Sequence, residues 1–125
     1  MITAPILAMV LLSVACSALA QLSLKHGMSQ PVTQQALAAG DWLATVGAIA
    51  SNLFVLGGLF LYGFGAVVWL FVLARLDVSV AYPFVALGFL ITLAMGCLLF
   101  GEALTLSKVA GTILVALGVY LVASS

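Results

Sequence analysis

Four apolar stretches dominate this chain, at about residues 2–24, 52–74, 80–100 and 106–123. Each is close to the roughly 20 residues that an α-helix needs to cross a bilayer. A backbone in lipid has to bond its polar groups within the segment, so stretches of this length are read as helices. The chain is 66% hydrophobic and 5% charged, and its mean hydropathy is +1.43. So little charge leaves no means of wetting a soluble surface. The expected fold is an all-α membrane protein, with residues 1–125 forming a single four-helix transmembrane domain.

The links between the stretches are unequal. "RLDVS" at 75–79 and "GEALTLS" at 101–107 are short, which predicts that spans two, three and four are antiparallel neighbours. The first link, residues 25–52, is long. Gly27 and Pro31 are expected to break the first helix. Thr33 is a candidate cap for a short helix through about Ala39, and Asp41 for another beginning at Trp42. Trp42 suits the headgroup level. This link therefore reads as a short interfacial or re-entrant helical segment, not a fifth span. "ACSALA" before Gln21 resembles a signal-peptide cleavage site, but no Lys or Arg precedes the apolar stretch, so the first span is expected to be retained. Cys16 and Cys97 lie within apolar runs and read as small packing residues, not a disulfide. With four spans, Lys25 and Lys108 fall on one side and Arg75 on the other, a weak orientation signal.

The first span carries a polar thread. Ser13, Ser17, Gln21 and Lys25 recur every four residues, so on a helix they form one slowly drifting stripe. Two readings stand. The stripe can bond the helices together, or it can wall a path for a polar substrate. In the second span Gly58, Tyr62, Gly65 and Trp69 share a face, and Tyr62 lies too deep for an interfacial belt, which favours a cavity lining. Pro83 is placed to kink or begin the third helix. Gly88, Thr92 and Gly96 form a small-residue ridge there, and Gly111 and Gly118 form another in the fourth span. Glu102 is expected to pair with Lys108 or to stabilise the start of the fourth helix. No Asp, Glu, Arg or His lies centrally in a span, whereas proton-coupled transporters keep an ionisable group at depth. The sequence holds no metal cluster and no nucleophile–base set, so it predicts neither a metal site nor an enzyme. A net charge of zero argues against a nucleic-acid partner.

These residues resemble the drug/metabolite transporter superfamily. "FGEALTLSKVAGTILVALGVYLV", residues 100–122, looks like the closing helix of EamA-type half-repeats, with Glu102, Gly111 and Gly118 at the matching positions. The four-span length resembles the small multidrug resistance family. Aligned through "LSLK", that family's essential first-helix Glu falls at Ser17, a departure that removes the proton- and cation-binding group. Closer still is the likeness to the two small subunits of the aminoarabinose-phosphoundecaprenol flippase. It rests on Ser13-Val14-Ala15, on Gln21-Leu22-Ser23-Leu24, and on "WLFVLARLDVSVAYP" from Trp69 to Pro83.

The resemblance implies a transporter or flippase subunit in the bacterial inner membrane that translocates an undecaprenyl-phosphate-linked sugar. Hydroxyls and amides suit a sugar, and basic residues suit a phosphate. On that basis Ser17, Gln21, Tyr62, Trp69 and Tyr82 are the expected head-group contacts, with Lys25 or Arg75 at the phosphate. Gly111 and Gly118 are the expected dimer interface, with a second copy or a sister subunit as partner. The alternatives are an exporter of small cations or metabolites, which a buried carboxylate would have favoured, and a structural subunit with no substrate.

Overall fold

The computed structural model describes residues 2–125. Helix α1 spans Ala4–Met28, α2 Pro31–Ala38, α3 Trp42–Ala50 and α4 Leu53–Leu73. A short α5, Val78–Ala81, runs through a 3-10 turn, Tyr82–Phe84, into α6, Val85–Leu99, and α7 is Leu106–Ser124. No strand occurs among the described residues. Helices α1, α4 and α7 are each long and apolar enough to cross a membrane, as is the continuous Val78–Leu99 segment, so this is a multi-pass membrane protein.

Local signals place the boundaries. Pro5 sits in the first turn of α1, where its missing N–H leaves nothing unpaired, and Lys25 and His26 favour the negative end of the helix. Gly27 does not break α1 as expected. It is buried inside the last turn, and a Cβ there would lie 2.7 Å from Val55 Cγ2. This glycine marks a close approach of α4, and α1 ends only at Met28. Thr33 is not the cap of α2. Gln30 takes that place because Pro31 starts the helix, and Thr33 is buried within it. Asp41 does cap α3, its Oδ1 accepting from the Ala44 amide at 3.2 Å. Helix α3 buries none of its residues, and Trp42, Leu43 and Val46 are exposed.

Asn52 has two tasks. Its Oδ1 accepts from the Phe54 amide at 2.9 Å, capping α4, while its Nδ2 donates to the Gly27 carbonyl at 2.8 Å. One side chain thus starts α4 and ties it to the end of α1. Pro83 lies in the first turn of the 3-10 segment, so the third span changes pitch there before continuing as α6. Thr105 caps α7 by accepting from the Lys108 amide at 3.1 Å.

The helix order in space differs from the order along the chain. Helix α1 packs along α4 on one side and α6 on the other, while α7 rests on α6 and the 3-10 turn. The short link after α4 predicts direct α4–α6 packing, but α1 occupies the space between them. A short link fixes only that the joined ends are close; it does not choose which faces meet. Of the most apolar window of α1, 39% is buried, against 6% for α7, so α1 is the centre of the bundle and α7 its edge. A core of Ile6, Val10, Val14, Val72, Leu76, Ala81, Phe84 and Val119 closes the end of the bundle where α4 turns into α5.

Glycines set the α1–α4 seam. A Cβ at Gly58 would lie 2.9 Å from Leu24 Cγ, and one at Gly65 would lie 3.1 Å from Cys16 Cβ. Without side chains at these points the two backbones approach closely, which is how helices gain contact where lipid supplies no hydrophobic force between them.

Candidate functional site

Along α1 the polar thread divides by depth. Ser13 is buried, and its Oγ donates to the Gly65 carbonyl of α4 at 2.8 Å. This is a bond between helices. Ser23 makes another, donating to the Phe54 carbonyl at 2.6 Å. Ser17, one turn beyond Ser13, is half-buried and lines a cavity of about 220 Å³. Its other walls include Tyr62 and Trp69 of α4, Tyr82 of the 3-10 turn, and Gly88 of α6. Tyr62 and Tyr82 are both exposed, so the cavity opens sideways out of the bundle. Its lining includes hydroxyl groups but no carboxylate, lysine or arginine.

Gln21 and Lys25 line a second cavity, of about 200 Å³, with Thr92 and Gly96 of α6 and with Phe100 and Glu102 just beyond it. Four residues of helix separate Ser17 from Gln21, a rise of about 6 Å. The two cavities therefore follow one another along α1, the first at mid-span between α4 and α6 and the second beside α6 at the Lys25 end. Four of the seven expected substrate contacts, Ser17, Tyr62, Trp69 and Tyr82, border the first. Gln21 and Lys25 border the second, and Arg75 borders neither. Arg75 follows the C-terminal end of α4, at the opposite end of the bundle from Lys25.

The third-span ridge faces inward. A Cβ on Gly88 would touch Val14 Cγ1 of α1 at 3.5 Å, Thr92 lines the second cavity, and one on Gly96 would collide with the Glu102 carboxylate. Gly111 and Gly118 of α7 have no atom within 4 Å of an added Cβ. The expected Glu102–Lys108 pair does not form. Lys108 Nζ donates instead to the Ala103 carbonyl at 2.7 Å, and Glu102 turns back onto α6. Thr92, Gly96, Phe100 and Glu102 are thus cavity residues that sequence reasoning missed. A polar Thr92 in the middle of the small-residue ridge was the available signal. Among the described residues no group of three His, Cys, Asp or Glu could hold a metal ion.

No family model and no solved structure matches the chain. Curated relatives do. The chain is 36% identical over 120 residues to the probable 4-amino-4-deoxy-L-arabinose-phosphoundecaprenol flippase subunit ArnF of Photorhabdus laumondii, covering 90% of this chain and 91% of that one. It is 33% identical over 120 residues to the subunit so named in Serratia proteamaculans, covering 90% and 87%. To the probable subunit ArnE of Pseudomonas fluorescens it is 44% identical over 63 residues, which is 50% of this chain and 55% of that relative.

Proposed function

The chain belongs to the family of small flippase subunits represented by ArnE and ArnF, and from that premise we propose that it helps carry an undecaprenyl-phosphate-linked amino sugar across the bacterial inner membrane. In this reading it moves its substrate without converting it. Residues 1–125 act as one transmembrane domain. The observation that carries the reading is the sideways-opening groove along α1, walled by α4 and α6, with hydroxyls at mid-span and Gln21 and Lys25 at its end. A lipid-linked substrate keeps its tail in the bilayer and needs shelter only for its head. Ser17, Tyr62 and Tyr82 supply hydroxyls for a sugar, Trp69 supplies a flat apolar wall, and Gln21 supplies an amide. Lys25 meets the phosphate as the head enters, and Arg75 serves the opposite leaflet. The uncharged lining around Ser17 counts against antiport of a cation, which would call for an acidic group at depth.

The direct test is reconstitution. Proteoliposomes holding the chain with its partner are expected to bring the amino-sugar lipid to the opposite leaflet faster than empty vesicles. Equal rates would reject the reading. Lys25→Gln is expected to weaken binding of that lipid by about tenfold at low ionic strength, as for the loss of one charge-assisted contact, and by less at physiological salt. Titration at two salt concentrations checks this; equal affinity of wild type and variant at low salt removes Lys25 from phosphate recognition.

Four helices are few for an alternating path, since transporters commonly pair repeats around a shared site. A sister subunit or second copy completes the bundle, and α7 is the face we assign to it. The helix is scarcely buried, and Gly111 and Gly118 stand open. Gly118→Leu should hold the two backbones apart and shift the complex towards monomer while each chain still inserts. Mass measurement in native nanodiscs decides this, and an unchanged complex rejects the interface.

A further inference from the structure

The second cavity carries two opposite charges. Gly101 adopts φ +64°, a left-handed turn that reverses the chain straight after α6. The Glu102 amide consequently donates to the Gly96 carbonyl at 3.3 Å. Its carboxylate lies against Gly96 of α6, where any Cβ would collide with it. Gly96 is buried, so the missing side chain is what makes room for the acid. Lys25 lines the same cavity, with the neutral Gln21 and Thr92 also in the lining. Lys25 and Glu102 therefore border one shared space.

Resting on the translocation reading above, we propose that Glu102 is a specificity residue: it receives the ammonium group of a head that carries both a phosphate and a primary amine, while Lys25 holds the phosphate. A head with one pole satisfies only half of the cavity. A head with both satisfies each charge at the edge of the membrane, where lower dielectric strengthens the contacts. The amino sugar on a phosphoundecaprenol tail has this chemistry, and so does phosphatidylethanolamine. The two share the chemistry that a cavity of about 200 Å³ with both charges would take, and the competition arm of the test separates them.

The test uses the full chain in phosphatidylglycerol nanodiscs, titrated with the amino-sugar phosphoundecaprenol and with the same lipid bearing a hydroxyl in place of the amine. Wild type is expected to prefer the amine by about tenfold, the worth of one charge-assisted hydrogen bond. Glu102→Gln should abolish that preference and leave affinity for the hydroxyl lipid within about twofold. Gly96→Ala should do the same, because it keeps the acid in the chain but drives its carboxylate off α6. If either variant fails to fold, the other carries the test. A preference that survives both changes, or an equal loss for both lipids, overturns the assignment of Glu102 and leaves the translocation reading standing. Failure of the wild type to bind either lipid overturns the translocation reading itself. Competition by phosphatidylethanolamine as strong as that of the amino-sugar lipid overturns the amino-sugar subsite and gives the cavity to bulk membrane lipid.

Discussion

Gly65→Leu is expected to destabilise the bundle by about 3 kcal/mol, combining overpacking of 1–3 kcal/mol with the loss of a hydrogen bond of about 1 kcal/mol. The α1–α4 seam is the most extensive helix contact in the chain. At Gly65 an added Cβ would stand 3.1 Å from Cys16 Cβ and 3.3 Å from the Ser13 carbonyl oxygen. The oxygen belongs to a helical backbone and cannot move unless α1 moves with it. A leucine would force the helices apart and break the 2.8 Å bond from Ser13 to the Gly65 carbonyl. Lipid offers no compensating hydrophobic force, because its tails are as apolar as the leucine. Gly63, two residues earlier on α4, has no atom within 4 Å of an added Cβ, so Gly63→Leu is the matched control. Unfolding in mixed micelles should separate the two variants. Equal midpoints would mean that the seam does not hold the bundle together.

Gln21→Leu is expected to lower translocation by about tenfold to a hundredfold, the range for losing a hydrogen bond to a charged or strongly polar group, while the protein still folds. The two halves of that expectation have separate grounds. Gln21 is exposed on the wall of the second cavity, between the hydroxyls of the first cavity and Lys25. A substrate head moving along the groove passes it. Bonds between helices come instead from Ser13, Ser23 and Asn52, which the change leaves intact. Folded yield and transport are to be measured on the same preparation. Full transport would remove Gln21 from the path, and a parallel loss of folded protein would make it a packing residue.

Several features of the site were legible in the residues themselves. The four-residue spacing of Ser17, Gln21 and Lys25 is a property of one helix, so their alignment along one groove needed no tertiary information. Tyr62, Gly65 and Trp69 shared a face for the same reason. The partner of that face was not legible. The second-span glycines could have received any helix or a lipid chain, and only the packed structure shows α1 against them. The third-span ridge named no partner either, and only the packed structure turns it towards α1 and Glu102. Gly27 was misread because a glycine near a helix end is a common stop, whereas here a close approach by Val55 requires it.

The sequence by itself determined the membrane class, the four spans and the cap at Asp41, because each depends on residues near one another in the chain. A backbone crossing hydrocarbon has to bond within its own segment, so length and hydropathy suffice to place it. Which spans touch was decided only by the tertiary structure. Helix α4 is apolar on nearly every side, and lipid prefers none of its faces over another. Neighbours are then chosen by shape and by a few directional bonds: glycines that admit α1, Ser13 and Ser23 that bond to α4, and Asn52 that pins two helix ends. Glu102 follows the same logic. Its charge is written in the chain, but its place beside Gly96, in the cavity it shares with Lys25, depends on the left-handed turn at Gly101 and on α6 lying against α1.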